Sequence, residues 1–153
     1  MNTIRELIIQ AILTRAEDIS AVASPLLYST EIGSSPAFRA RPKVDPDDLP
    51  CVDVWPQPEE ALNKNGMVLH KMPVKIEGVA HFGAEEPSVV SERILGDLIR
   101  CFTSPTWTRV YMDSIVYTGG GTESYPEEGS VSVGAFASFM VTYWTKIGDP
   151  YSQ

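Results

Sequence analysis

The sequence is poor in the residues that bind metals or form disulfides. It contains two cysteines and two histidines among 153 residues. Cys51 and Cys101 lie inside apolar stretches without the paired spacing of a metal site, so we expect buried free thiols. His70 and His81 share no ligand spacing with Cys, Asp or Glu, and we expect both on the exposed surface of a strand. The sequence therefore predicts no metal and no other cofactor.

Positive charge and long apolar runs are also scarce. The chain has 12 Lys and Arg against 20 Asp and Glu, a net charge of −8. Binding to DNA or RNA needs a cationic surface, so nucleic acid is not expected as a direct ligand. No apolar run approaches the ~20 residues that cross a bilayer. The charged N-terminal segment lacks the apolar core of a signal peptide. We expect a soluble cytosolic protein with no membrane partner.

Catalytic motifs are absent as well. Residues 119–122 have the sequence Gly-Gly-Gly-Thr, but they lack the lysine and the following helix of a phosphate-binding loop. No G-x-S-x-G turn is present, as a serine hydrolase of that type would require. The acidic residues between 45 and 53 lack the central glycine and final glutamate of a calcium loop. The sequence therefore predicts a protein that is not an enzyme.

Two segments have the apolar periodicity of helices. Residues 3–19 place apolar side chains on one stripe, and Thr3 with Glu6 matches a capping box. Ser24-Pro25 stops any continuation of this helix. The second helix has Pro87 in its first turn. Its expected buried stripe consists of Val90, Ile94, Leu98, Cys101 and Phe102.

Residues 24–66 are rich in proline, which fixes φ and removes a backbone donor. Seven of the 12 prolines lie here, so we expect a partly irregular arm with short extended pieces at 26–32 and 51–55. A small basic patch is followed at once by an acidic one. These residues are Arg39, Arg41 and Lys43, then Asp45, Asp47 and Asp48. Long irregular segments in small domains are usually functional, and we expect this arm to contact a partner.

The remaining segments alternate as strands do. Residues 74–81 have a period of two, and Pro73 is expected at an edge, a bulge or a strand start. Residues 107–118 and 131–145 read as a long hairpin with a glycine-rich tip at 119–129. The last strand has one continuous apolar face, and Phe136, Met140 and Trp144 lie on its other face.

These elements predict an α+β fold in a single domain spanning residues 1–153. Two helices pack on one face of a mainly antiparallel sheet of about four to five strands, which ends in the long C-terminal hairpin. Apolar side chains on both faces of a sheet in a small domain favour a subunit interface. A bend in the strand could instead bring Trp144 and its neighbours into the core.

The order of these segments resembles the tail terminator proteins of long-tailed bacteriophages, the family of the lambda-type minor tail protein U. The resemblance covers nearly the whole chain, beginning with the N-terminal helix. It continues through DDLPCVDVW at 47–55, VKIEGVAHF at 74–82, SERILGDLIRCF at 91–102 and FMVTYWTKIGDPY at 139–151. The final strand, ending in Tyr-x-Thr and then Gly-Asp-Pro, is the most recognisable piece.

The resemblance implies a structural virion protein at the neck end of the tail, assembled in the host bacterial cytoplasm. It implies a homo-hexameric ring that caps the tail tube protein, stops its polymerisation and presents a docking face to the head-tail connector. DNA would only pass through the lumen. The family supplies no catalytic residues.

We expect the contacts with neighbouring subunits or with the tube in three places. These are the charged arm (Arg39, Arg41, Lys43, Asp45, Asp47 and Asp48), the hairpin tip (Gly120, Glu123, Glu127 and Glu128) and Trp144. Three alternatives remain open at this point. They are another neck component, such as a head-completion or tail-completion protein, a small cytosolic enzyme or ligand-binding domain, and a host adaptor without a particle role.

Overall fold

A computed structural model describes all 153 residues and contains two helices and one sheet. The helices are α1 (Ile4–Ala16) and α2 (Pro87–Thr103), and a single 3₁₀ turn covers Pro46–Asp48. The strands are β1 (Phe38–Arg39), β2 (Cys51–Pro56), β3 (Glu60–Lys64), β4 (Met67–His81), β5 (Ser114–Gly121) and β6 (Ser132–Lys146). Neither helix is both long enough and apolar enough to span a membrane.

The sheet has the strand order β1-β2-β4-β6-β5, and β3 also pairs with β4. β1 runs parallel to β2, and every other pair is antiparallel. The predicted α+β class is therefore confirmed, with six strands rather than four or five. β2 and β3 lie one after the other along the same side of β4, because they pair with its second half and its first half respectively.

The long β4–β6 pair gives the sheet two different faces. The register runs from Met67 opposite Lys146 to His81 opposite Ser132 without a break. Every odd-numbered residue of β6 from Val133 to Thr145 is buried, and the even-numbered ones between them are partly exposed. The predicted alternation is thus confirmed. We call the buried side, which faces the helices, the inner face, and the opposite side the outer face.

Both helices pack on the inner face around one core of 26 buried residues. The predicted stripe of α2 is buried along its whole length. Phe139 on β6 meets Phe102 of α2 edge to face, with ring centroids 5.5 Å apart. α1 begins as predicted, because Thr3 Oγ1 accepts a hydrogen bond from Glu6 N at 3.1 Å. It ends at Ala16, earlier than expected, although Ile19 is still fully buried.

Pro73 contradicts the expectation of an edge, bulge or strand start, since it lies inside the central strand β4. The position works because its backbone faces the gap between β2 and β3. Pro73 O accepts a hydrogen bond from Gln57 N at 2.9 Å in that gap. Because N and O of a strand residue point to the same side, the missing N–H costs no hydrogen bond to β6.

The proline-rich segment 24–66 holds more regular structure than expected, since β1, β2 and β3 all lie within it. The piece at 26–32 is wrong as a strand, because it consists of turns, a bend and irregular backbone. Asp97 of α2 fixes these turns through hydrogen bonds from Ser29 N and from the N and Oγ1 of Thr30. Residues 107–113 are likewise not a strand, and β5 begins at Ser114.

Candidate interaction surface

The outer face carries large apolar side chains that no helix covers. The register places Leu62, Leu69 and Trp144 side by side on β3, β4 and β6. Val116 and Met140 form a second such row on β5 and β6. Leu62 is 62% exposed and Val116 is 55% exposed. We call these residues, together with Met67, the apolar patch: Leu62, Met67, Leu69, Val116, Met140 and Trp144.

Lysines border the apolar patch. Lys64 and Lys146 lie on either side of Met67, in the row next to that of Leu62, Leu69 and Trp144. Lys71 lies in the row between the two apolar rows. All three lysines are exposed, and none takes part in the seven ion pairs of the chain. Glu60, opposite Lys71, is the one carboxylate in these rows. This end of the outer face is therefore cationic, although the chain has a net charge of −8.

The other end of the outer face is covered by residues 41–50, which we call the covering segment. Beneath it, Cys51 and Asp53 of β2 are 1% and 3% exposed. The covering segment is fastened by Arg41, whose backbone N–H donates to Asp53 Oδ2 at 3.0 Å. The Arg41 guanidinium pairs with Asp48 at 2.6 Å and lies over the ring of Phe38.

Burial raises the pKa values of Cys51 and Asp53, the two titrating groups under the covering segment. It raises the pKa of the Cys51 thiol to about 11, since a thiolate would be poorly solvated there. Burial also raises the pKa of Asp53. The backbone N–H groups of Arg41 and Ala40 act in the opposite direction, because their hydrogen bonds favour the carboxylate. Both groups therefore sit in a dry environment, with no reactive thiolate at neutral pH.

The charged residues predicted as a partner-contacting arm are mostly engaged within the chain. Arg39 pairs with Glu6 of α1 at 2.8 Å. Asp45 Oδ1 accepts a hydrogen bond from Asp47 N and so caps the 3₁₀ turn. Lys43 and the side chain of Asp47 are exposed. The structure thus brings Arg39, Arg41, Asp45 and Asp48 into internal contacts, whereas Lys43 and Asp47 face solvent.

The glycine run predicted as part of the hairpin tip belongs to β5, which is a correction. Gly120 is opposite Ala137, and a Cβ at this position would lie 2.3 Å from Phe136 O. Only glycine fits this approach of the two backbones, so the strand continues where flexibility was expected. The connection that remains between β5 and β6 is residues 122–131, which we call the acidic loop.

The acidic loop bends back over the covered end of the outer face. Glu123 pairs with Lys75 of β4. Ser124 lies with Glu77 and Gly134 around a small cavity of about 80 Å³ and an adjoining open depression of about 410 Å³. Burial raises the pKa of Glu77, although Lys75 acts in the opposite direction. Glu127 and Glu128 are exposed and belong to none of the ion pairs.

A polar cluster that the sequence analysis missed lies on the inner face, beside the N-terminal part of α1. His70 stacks on Tyr143 with ring centroids 4.5 Å apart and an angle of 7° between the planes. Glu59 Oε1 lies 3.1 Å from His70 Nδ1, and Glu59 Oε2 accepts a hydrogen bond from the Tyr143 hydroxyl at 2.6 Å. Thr145 Oγ1 lies 2.9 Å from His70 Nε2, and Arg5 lies 3.6 Å from Glu59.

The expectation of an exposed His70 is therefore wrong, since its side chain is only 13% exposed. Burial and the bond to Glu59 raise the pKa of Tyr143, which keeps the hydroxyl protonated as a donor. The cluster joins α1, the connection at 57–59 and the β4–β6 pair, so its hydrogen bonds hold elements together. No group of three or more His, Cys, Asp and Glu side chains is arranged to hold a metal ion.

The fold and its surface define a two-layer α+β protein with one helix-covered face and one face that is partly bare. No protein-family model matches this chain, and no curated protein matches its sequence.

Proposed function

We propose that this protein is a structural component of a phage particle, a tail terminator that forms a ring on the tail tube, stops its growth and provides the docking face for the head-side connector. The observation that carries the proposal is the uncovered apolar patch on the outer face. Several large apolar side chains exposed together on a small domain favour a contact with another protein. The resemblance of the sequence to the terminator family suggests that this contact is made with ring or tube subunits.

The asymmetry of the chain supports a capping role. A ring subunit needs two different surfaces on its two sides, one that matches the tube and one that rejects further tube subunits. The two faces of the sheet differ in this way, since two helices cover the inner face and the outer face is partly bare. The acidic composition also suits a channel through which DNA slides, because a surface with net charge −8 per chain does not hold phosphates.

Particle morphology tests the proposal. The gene is inactivated in the phage or prophage that carries it, and the particles are imaged by negative stain. We expect overlong tubes without heads, and the wild-type chain supplied in trans should restore normal particles. Tails of normal length that fail to join heads would assign the protein to another neck component. Intact particles would contradict any role in the virion and would favour a search for a ligand.

A further inference from the structure

We propose that the apolar patch of one copy binds the acidic loop of a second copy, head to tail. The inference rests on the proposed function, since it names the contact that repeats around the ring. It commits to another copy of this chain as the partner, because the same molecule carries two unpartnered surfaces of matching chemistry.

The first surface combines apolar contact area with unpaired positive charge. Leu62 and Leu69 line an open depression of about 460 Å³ at its edge, together with Lys71. Its lysines have no ion-pair partner within the chain. A partner with exposed apolar side chains and carboxylates therefore satisfies both features of the patch at once.

The second surface has that composition. The acidic loop contains three glutamates and no lysine or arginine. Tyr125 and Val131 in this loop are each 59% exposed. Glu127 and Glu128 stand beside them without an ion-pair partner. An aromatic and an aliphatic side chain thus flank two free carboxylates, which complements the lysine-bordered patch.

The exposed part of the acidic loop cannot reach the Trp144 end of the patch within one chain, although Glu123 of the same loop pairs with Lys75, one row from Met140. Tyr125 and Glu127 lie beside Gly134 near the start of β6, and Trp144 lies ten residues further along that strand. Ten residues of extended strand separate them by about 33 Å. A contact between them is therefore intermolecular and joins different surfaces of the two copies. Such a heterologous contact repeats from copy to copy and closes into a ring when its rotation permits.

The size of the patch is consistent with the core of a subunit contact. Four strands at ~4.8 Å spacing, over about eight residues at ~3.3 Å, give roughly 500 Å². A stable interface of standard size buries about 800 Å² on each partner. The patch with its bordering lysines therefore amounts to more than half of the area that one partner of such an interface buries.

Charge reversal at each end tests the contact. One variant carries Lys64→Glu and Lys71→Glu, and the other carries Glu127→Lys and Glu128→Lys. The control, Glu17→Lys with Glu92→Lys, makes the same charge change as the second variant, at exposed residues on the helical side that belong to no ion pair. Association is measured by native mass spectrometry and sedimentation, and circular dichroism checks that each variant is folded.

We expect the wild type and the control to form oligomers built from 16.8-kDa chains. Each reversed variant alone should associate at least about tenfold more weakly, since like charges then face each other. Mixing the two reversed variants should restore oligomers with alternating copies and even subunit numbers. A single chain with both ends reversed should assemble like the wild type.

Three results would overturn the inference. They are a wild type that remains monomeric at high concentration, reversed variants that assemble normally, and a mixture that fails to regain association. None of them decides the proposed function, which depends on the particles formed without the gene. A terminator that assembles only on the tube would still give overlong tubes when absent, while its free subunits would show no self-association.

Discussion

The two faces of the sheet differ in what covers them more than in which residues they carry. Phe139 and Met140 are consecutive on β6, and both are large and apolar. Phe139 is 1% exposed and packs against helix side chains, whereas Met140 lies on the outer face between Pro73 of β4 and Val116 of β5. Composition alone therefore does not separate a residue that stabilises the fold from one that is available for contact. The covering elements separate them.

The largest expected change in stability comes from comparing alanine substitutions of Phe139 and Met140. Phe139→Ala removes a ring packed against Phe102 and Tyr117, and should lower the free energy of unfolding by about 3 to 5 kcal/mol. Met140→Ala should lower it by about 1 kcal/mol or less, because the side chain is already partly exposed. Chemical denaturation followed by circular dichroism measures both values. Equal losses in the two variants would show that the outer face is as important to the monomer as the inner face.

Gly120→Ala tests the closest approach on the inner face. The new Cβ would lie 2.3 Å from Phe136 O and 3.1 Å from the side chain of Leu95, so β5 has to shift. We expect a loss of about 1 to 3 kcal/mol in the free energy of unfolding. Gly96→Ala is the matched control, since nothing lies within 4 Å of its Cβ position in α2. That variant should gain up to about 1 kcal/mol from helix propensity, and a loss there would contradict the described packing of α2.

Glu77→Gln tests whether Glu77 is buried at the covered end of the outer face, through the pH dependence of the melting temperature. Because burial raises the pKa of Glu77 in the folded state, the wild type loses stability as pH rises through that raised value. The glutamine variant lacks this loss. The two proteins should therefore melt at similar temperatures below pH 4.5, the ordinary value of the carboxyl group, and the variant should melt higher at neutral pH. A variant that melts lower at neutral pH would show that the attraction between the Glu77 carboxylate and the Lys75 ammonium outweighs the effect of burial.

The smallest effect concerns the thiols. Cys51 lies under the covering segment and Cys101 in the core, and burial raises the pKa of each to about 11. Neither should react with an alkylating reagent at neutral pH, and both should react once the chain is unfolded. Arg41→Ala loosens the covering segment and should speed labelling of Cys51 while leaving Cys101 protected. Peptide mass spectrometry distinguishes the sites, and fast native labelling of Cys51 in the wild type would contradict a covered outer face.

The sequence predicts those elements whose pattern is local. The alternation of β6 and the apolar stripe of α2 depend on residues a few positions apart, and both predictions are confirmed. The position of Pro73 was not predictable in this way, because it depends on a gap between two other strands. Gly120 looked like a flexible tip because its neighbour across the sheet is seventeen positions away at Ala137.

In the candidate surface too, local patterns were predictable and contacts between distant residues were not. Trp144 was predicted on the non-core face from alternation alone, and the register confirms that placement. Its neighbours Leu62 and Leu69 could not be predicted, since β3 was taken as part of an irregular arm. The polar cluster around His70 also requires the β4–β6 register, which puts His70 opposite Tyr143. The predicted roles of these residues in subunit or tube contacts stay predictions.

The β4–β6 pair also has a consequence for how the chain folds. β3 and β4 form a local hairpin through Asn65 and Gly66, whose positive φ angles of 52° and 79° suit a two-residue turn. β5 and β6 form a second local hairpin. The seam between the hairpins joins Ile76 to Ala137, with α2 in the intervening sequence. Because distant pairings carry the loop-closure entropy, we expect the pairing of the two hairpins to limit the folding rate, so substitutions in the seam should slow folding more than substitutions at either turn.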